Sequence, residues 1–197
     1  MAGLTMIAAA ALAGSRPAPD PVDRWAREIA GASSRFGIPK EWIRRVIRAE
    51  SGGRTSVGGH PIVSSAGAIG LMQLMPGTWN EIRLLLGLGD DPRDPNDNIL
   101  AGTFYLRSMY DRFGYPGLFA AYNAGPARYS DYLSGSRPLP AETRAYAKRI
   151  AGRGAGSPEA GRAGIFAVRT NAKGAATSRA PSSRDGLFAD LGSTERD

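Results

Sequence analysis

Hydrophobic residues in the central part of the chain recur at the spacing of a helix rather than of a strand. In EWIRRVIRAESGG, residues 41–53, four apolar side chains fall on one face: Trp42, Ile43, Val46 and Ile47. The next position on that face is Glu50, and Gly52 and Gly53 follow immediately. With Pro39 in the first turn, the pattern predicts a helix that ends near Glu50 and directs a carboxylate along its apolar stripe.

Four further stretches predict helices. They begin at Thr78, capped with Glu81 in a capping box, at Asp94 or Asn96, after Pro116, and near Pro140. The third of these is expected to end near Asn123, and the last near Ala151. Strand-like alternation is nearly absent, apart from a weak candidate at PIVSS, residues 61–65. We therefore expect a mainly α fold.

Composition divides the 197 residues into three parts. Residues 1–20 form a signal-like leader and a Pro-rich joint, and residues 21–151 carry most of the large apolar side chains. Residues 152–197 are rich in Gly, Ala, Ser and Arg, and bury too little apolar surface to offset chain entropy. We predict one folded domain at 21–151 with a disordered tail at 152–197.

The first residues predict export. MAGLTMIAAAALAG is an apolar run that ends in the small-x-small pattern of residues 11–13, as in a secretory signal. It lacks a basic n-region, so either the true start lies upstream or the signal is weak; a disordered alanine-rich start is the alternative. The run is too short to span a bilayer, so no transmembrane span is expected. A periplasmic or cell-envelope location follows from this interpretation.

Charge and cysteine content exclude several classes of site. The formal net charge is +7, which suits an anionic partner such as the bacterial wall. No basic run interleaved with aromatics is present, so nucleic acid is not an expected partner. The chain has no cysteine, and His60 is its only histidine, in a glycine-rich loop. We predict neither a metal nor a cofactor.

Glu50 is the candidate catalytic residue. Burial on an apolar stripe and the negative end of the helix dipole both oppose ionisation, so the pKa of this carboxyl should be raised. A carboxylic acid that stays protonated near neutral pH suits general acid catalysis. Ser51 could hydrogen-bond the carboxyl. The alternative is an exposed glutamate at a helix end, paired with Arg48 or Arg54.

Three later stretches carry polar groups suited to a sugar. Gln73 lies between Met72 and Met75 after two glycines and offers an amide donor and acceptor. In AAYNAGP, residues 120–126, the Tyr122 ring could stack on a sugar and Asn123 precedes a helix end; Tyr146 could donate its hydroxyl into a cleft. Taken singly, each has an ordinary structural explanation as a core amide, a helix cap or a packing group.

Together, these motifs resemble the catalytic domain of the soluble lytic transglycosylases. The resemblance covers about residues 35–151 and rests on four motifs in order: Glu50-Ser51, Gly70-Leu71-Met72-Gln73, Ala121-Tyr122-Asn123-Ala124-Gly125 and a late Tyr146. It implies a lysozyme-like fold related to goose-type lysozyme. Residues 54–66 are glycine-rich and longer than the simplest family pattern, so they could alter the rim of the cleft.

The resemblance also implies an activity and a substrate. Members of the family cut the β-1,4 bond between N-acetylmuramic acid and N-acetylglucosamine in peptidoglycan glycan strands and form a 1,6-anhydromuramic product. By resemblance, Glu50 is the acid and then the base, and Tyr146 hydrogen-bonds it. The remaining residues implied to bind or position the substrate are Ser51, Met72, Gln73, Tyr122 and Asn123.

Two other functions stay open from the residues alone. A hydrolytic, lysozyme-like muramidase would need a second carboxylate across the cleft. The aspartates of GDDPRDPNDN, residues 89–98, are interpreted as turn and capping residues instead. A non-catalytic wall-binding module is the other alternative. Neither general wall turnover nor a partner secretion or conjugation apparatus is indicated by a specific motif.

Overall fold

The computed structural model describes residues 18–152, and within them the fold is mainly α. A short 3₁₀ helix at Pro21–Trp25 comes first. Seven α-helices follow in these residues: α1 Ala26–Phe36, α2 Lys40–Glu50, α3 Pro76–Leu86, α4 Pro95–Phe113, α5 Gly117–Ala124, α6 Pro126–Leu133 and α7 Ala141–Ala151. The predicted leader and tail fall almost entirely on residues 1–17 and 153–197, which lie outside the described residues.

Most of the helix predictions are confirmed. The helix ending at Glu50, the helix capped by Asp94, the helix after Pro116 and the helix after Pro140 are α2, α4, α5 and α7. The Asp94 side chain accepts a hydrogen bond from the Asp97 amide at 2.9 Å, which satisfies a free donor of the first turn. Helix α4 thus begins directly after Asp94, as predicted.

The capping box proposed for α3 is wrong. This helix begins at Pro76, before Thr78, and Thr78 is buried inside its first turn. Proline fits the first turn of a helix because its missing N–H has no partner there in any case, so Pro76 moves the start upstream. Helices α1 and α6 were not predicted; α6 is short, and Pro126 is its one buried residue.

Helix α4 is central to the fold and packs against α1, α3 and α5. Helix α5 in turn packs against α6 and α7, and α2 contacts α1 and α7. An aromatic group joins α2 to the α4–α5 region: the Trp42 ring stacks on Tyr115 with centroids 5.1 Å apart and meets Phe119 edge-on. Burial of these side chains and of the α2 stripe supplies the core around which the site forms.

Between α2 and α3 the chain forms a small β-structured segment. Strands β1, Ser56–Val57, and β2, His60–Pro61, pair antiparallel. Isolated bridges then link Val63 to Ile69 and Ile69 to Leu74. The strand candidate at 61–65 therefore overlaps β2 by one residue, Pro61, and contributes the bridge at Val63.

Two glycines in helices give opposite expectations for alanine substitution. A Cβ at Gly102 on α4 would lie 2.6 Å from the Met72 Cβ, whereas nothing lies within 4 Å of a Cβ at Gly31 on α1. We expect Gly102→Ala to destabilise the fold by about 1–3 kcal/mol through overpacking. Gly31→Ala should stabilise it by about 0.5–1 kcal/mol because the helix loses less backbone entropy on folding.

Urea unfolding of the two variants beside the wild type measures both effects. Equal stability of the Gly102→Ala variant and the wild type would contradict the close packing of Met72 against α4.

Candidate active site

Glu50 is the last residue of α2 and lies where the helix stripe meets α7. The helix cannot continue beyond it because Gly52 and Gly53 adopt left-handed φ values of 62° and 74°. The Glu50 carboxyl is partly buried, and the Tyr146 hydroxyl on α7 donates a hydrogen bond to its Oε1 at 2.5 Å. The first and last thirds of the domain thus meet at one carboxyl group.

The environment of Glu50 raises the pKa of its carboxyl from 4.5 to about 7. Burial is the main cause, because an ionised carboxylate loses hydration there. The hydrogen bond from Tyr146 and the positive charge of Arg149 lower the pKa, and the negative charge of Glu142 raises it. The balance leaves both protonation states accessible near neutral pH, as the apolar stripe predicted.

Tyr122 is a buried connector rather than an exposed ring. Its side chain is 7% exposed, and its hydroxyl donates to the Met72 carbonyl at 2.8 Å. Burial raises its pKa well above the usual value, and the negative charge of Glu50 adds to the shift. Tyr105 on α4 packs against it with ring centroids 5.1 Å apart. The sugar stacking expected of Tyr122 is therefore not available to a ring that packs inside the protein.

Gln73 lies on a tight turn that brings its amide to the surface. An antiparallel bridge between Ile69 and Leu74 closes the turn, and Gly70 within it has a φ of 80°. Gln73 itself has a left-handed φ of 49°, and its Nε2 donates to the Gly70 carbonyl at 2.8 Å. This bond leaves the carbonyl oxygen of the half-buried side chain available as an acceptor.

Asn98 holds this turn from α4, a role that the sequence patterns did not reveal. Its side chain is fully buried, and its Oδ1 accepts from the Met72 amide at 2.8 Å. Its Nδ2 donates to the carbonyls of Pro92 and Ile69 at 2.9 and 3.2 Å. A buried asparagine on the apolar face of a helix, one position before Ile99, is the signal that could have identified it.

Asn123 lies half-buried in the last turn of α5, one residue after Tyr122. Helix α5 ends at Ala124 because Gly125 has a non-helical backbone with a φ of 84°. Helix α6 then begins at Pro126. Among residues 18–152 no side-chain hydrogen bond to the Asn123 amide is present. Its donor and acceptor groups therefore remain available for a ligand.

Two expected side-chain contacts differ from the structure. Ser51 is 2% exposed, and its Oγ donates to the Ile47 carbonyl and accepts from the Gly53 amide, rather than binding the Glu50 carboxyl. The Met72 side chain is fully buried against Gly102 and Thr103, so it lies in the core rather than in a sugar subsite. Backbone groups therefore bind the Ser51 hydroxyl, and the protein core buries the Met72 side chain, so neither is exposed to a substrate.

Three of the four aspartates in residues 89–98 accept hydrogen bonds from backbone amides, as predicted. Asp91 accepts from the Arg93 amide and Asp94 from the Asp97 amide, both in turn or cap geometry. Asp97 accepts from the Gly89 amide at 2.9 Å. Within the described range no three His, Cys, Asp or Glu side chains cluster as a metal site would require.

Comparison with known proteins identifies the family. Residues 27–143 match the family described as "Transglycosylase SLT domain". That match covers more than half of the 197 residues. The chain belongs to this family.

Relatives and solved structures agree with the family. The soluble lytic murein transglycosylase of Escherichia coli K12 is 35% identical over 131 residues, which is 57% of this chain and 20% of that protein. The 70 kDa soluble lytic transglycosylase structure from Escherichia coli is similar with a TM-score of 0.55 and 32% identity, over 64% of this chain and 22% of that one.

An inactive mutant of the lytic transglycosylase Slt from Pseudomonas aeruginosa gives a TM-score of 0.55 and 30% identity over 64% of this chain and 22% of that one. The chain thus spans about a fifth of the length of these larger proteins. The fold of this SLT domain is the lysozyme-like fold of the lytic transglycosylases.

Described residues on both sides of the family match lie outside it. Tyr146 and Arg149 follow residue 143, and the 3₁₀ helix Pro21–Trp25 precedes residue 27. The Tyr146 hydroxyl that bonds Glu50 therefore comes from beyond the matched segment. No helix in the described part of the chain is both long and apolar enough to span a bilayer.

The raised pKa of Glu50 predicts a pH-dependent stability. The folded-state pKa of about 7 exceeds the unfolded value of 4.5, so the free energy of unfolding should fall as pH rises between these values. Glu50→Gln has no such proton to lose. We expect it to be more stable than the wild type by up to about 3 kcal/mol at pH 8, with little difference at pH 4.

Urea unfolding at the two pH values measures the difference. Glu81→Gln serves as the control because it removes an exposed carboxyl on α3 in place of the buried one. A gain for Glu50→Gln that is equal at both pH values would contradict the buried, proton-holding carboxyl.

Proposed function

We propose that this SLT domain is a peptidoglycan lytic transglycosylase. It cleaves the β-1,4 bond between N-acetylmuramic acid and N-acetylglucosamine and forms a 1,6-anhydromuramic end. The observation that carries the proposal is the Glu50 carboxyl, partly buried, bonded to Tyr146 and with a pKa of about 7. The matched relatives named as lytic murein transglycosylases support the reaction class.

In the first step the protonated Glu50 gives its proton to the glycosidic oxygen. The bond from that oxygen to the anomeric carbon breaks, and the N-acetylglucosamine leaves with the proton on its hydroxyl. Burial supports this step because it keeps the acid neutral until the leaving oxygen develops negative charge. The Tyr146 hydroxyl then stabilises the carboxylate that forms.

In the second step the Glu50 carboxylate takes the proton from the hydroxyl on carbon 6 of the muramic residue. That oxygen bonds to the anomeric carbon of the same sugar and closes the anhydro ring, so no water is consumed and Glu50 is protonated again. One carboxyl group serves both steps, which needs a pKa near the working pH. The substrate's own N-acetyl group assists at the anomeric carbon between the steps.

Of the remaining site residues, some contact the sugar directly and others hold the turns that carry those contacts. Gln73 and Asn123 are half-buried; Gln73 offers its side-chain carbonyl oxygen and Asn123 its amide group, and we assign them to the sugar hydroxyls and acetamido groups. Met72 and Tyr122 act through their mutual hydrogen bond, which fixes the Gln73 turn to α5. Ser51 acts through the turn that ends α2.

The cellular setting is proposed from the sequence. The leader at 1–20 exports the domain at 21–151 to the periplasm or cell envelope, where peptidoglycan is found. We propose the anionic wall, or a secretion or conjugation apparatus, as the partner of the basic tail at 152–197.

Purified protein incubated with peptidoglycan should release muropeptides that end in 1,6-anhydromuramic acid. Mass spectrometry distinguishes them from hydrolytic products, which are heavier by one water. Glu50→Gln should abolish release, with a loss of at least about 10³-fold, because the only group that moves the proton is removed. Glu81→Gln should leave the rate unchanged.

Release of products with ordinary reducing ends by the wild type would contradict the transglycosylase and indicate a hydrolytic muramidase. If the wild type and Glu50→Gln both bind peptidoglycan and neither releases muropeptides, the protein is a wall-binding module.

The rate should also depend on pH through Glu50. Because the acid must be protonated in the free enzyme, kcat/KM should fall by about tenfold per pH unit above the pKa of about 7. Initial rates on solubilised glycan strands between pH 5 and about pH 9 measure the profile. A descending limb that is centred near the ordinary glutamate value of 4.5 would contradict the assignment.

A further inference from the structure

The segment at residues 20–25, here called the strap, contacts the turn that directly follows Glu50. The Trp25 indole Nε1 donates to the Gly53 carbonyl at 2.9 Å. Gly53 is buried with a φ of 74°, and a Cβ there would lie 2.8 Å from the Pro21 carbonyl carbon and from the Val22 amide nitrogen. The backbones therefore approach each other at a distance that only glycine permits.

The strap is anchored on both sides of this contact. Val22 is 0% exposed and belongs to the hydrophobic core. Asp20 accepts from Arg48 on α2, with the Nε at 3.1 Å, and Asp23 pairs with Arg44 on the same helix. The hydrogen bond from Arg48 is the main cause that lowers the pKa of Asp20. The strap is thus attached to the helix that carries Glu50 as well as to the turn after it.

A continuous set of bonds leads from the strap to the end of α2. Gly53 receives the Trp25 bond on its carbonyl, and its amide donates to the Ser51 Oγ at 3.2 Å. The Ser51 hydroxyl in turn donates to the Ile47 carbonyl at 3.2 Å, one turn before Glu50. Ser51 is the next residue after Glu50, so a shift of the turn is transmitted to the carboxyl.

We propose that the strap is a positioning element for Glu50: Trp25 fixes the Gly53 turn and thereby holds the Glu50 carboxyl against Tyr146. The inference rests on the proposed function for its catalytic meaning. The strap lies before the family match at residues 27–143. None of its residues is assigned a contact with substrate, so its effect on the reaction goes through Glu50.

The strap contributes no charged group to the immediate surroundings of the carboxyl. The groups whose charges or hydrogen bonds act on Glu50 are Tyr146, Glu142 and Arg149 on α7, and Glu50 acts in turn on Tyr122 of α5. Loss of the Trp25 bond changes none of these side chains. It can alter the titration of Glu50 only by moving the carboxyl relative to Tyr146 or by admitting water.

Trp25→Phe tests the proposal because it removes the indole N–H and keeps an aromatic ring. The matched control is Trp79→Phe on α3, where the indole is 3% exposed and its Nε1 has no partner in the described residues. Both variants lose packing, so both lower Tm. Only Trp25→Phe loses a hydrogen bond to the turn after Glu50.

Two readouts separate positioning from general stability. On peptidoglycan well below the Tm of both variants, we expect Trp25→Phe to lower kcat about tenfold with KM within about twofold, and Trp79→Phe to change neither. By ¹³C NMR of the labelled Glu50 side chain, the pKa should rise above about 7 in Trp25→Phe alone, because a weaker hydrogen bond from Tyr146 lowers the pKa less.

The NMR readout stands even if the wild type releases other products or none, so a failure of the proposed function is distinguishable from a failure of the strap. Wild-type kcat and an unchanged Glu50 titration in Trp25→Phe would overturn the proposal. So would an effect on KM alone, or equal effects in both tryptophan variants. Gly53→Ala, which displaces the strap by direct contact with Pro21, should reproduce the titration shift.

Discussion

The hydrogen bond from Tyr146 to Glu50 works against the burial of the same carboxyl, and the site depends on that opposition. Burial alone would raise the pKa of Glu50 further and favour the protonated acid. The Tyr146 hydroxyl and the Arg149 charge favour the carboxylate and bring the pKa to about 7. The group can therefore give a proton and take one back in the same catalytic cycle.

Separate parts of the chain converge to maintain this arrangement. Helix α2 brings Glu50, α7 brings Tyr146, and α5 brings Tyr122 and Asn123. Helix α4 holds the turn of Gln73 through the buried Asn98, and the strap holds the turn that ends α2. The small β segment between α2 and α3 is thus held at one end by the strap and at the other by Asn98 of α4.

Local signals predicted the helices well where caps and stripes agreed. The stripe from Trp42 to Ile47 located Glu50, and Asp94 marked the start of α4. The same reasoning failed for Ser51, because the Ile47 carbonyl one helical turn earlier accepts from its hydroxyl. It failed for Met72 because its packing partners on α4 become neighbours only in the folded chain. Asn98 and Trp25 bond to the backbone of Met72 and Gly53, 26 and 28 positions away, and local sequence does not identify these partners.

The most direct test of this account is the titration of Glu50 itself. A ¹³C NMR titration of the side-chain carboxyl in the wild-type protein, assigned by its absence in Glu50→Gln, reports the pKa without reference to any substrate. The account predicts a midpoint near 7. A midpoint near 4.5, the value of a freely hydrated glutamate, would contradict it.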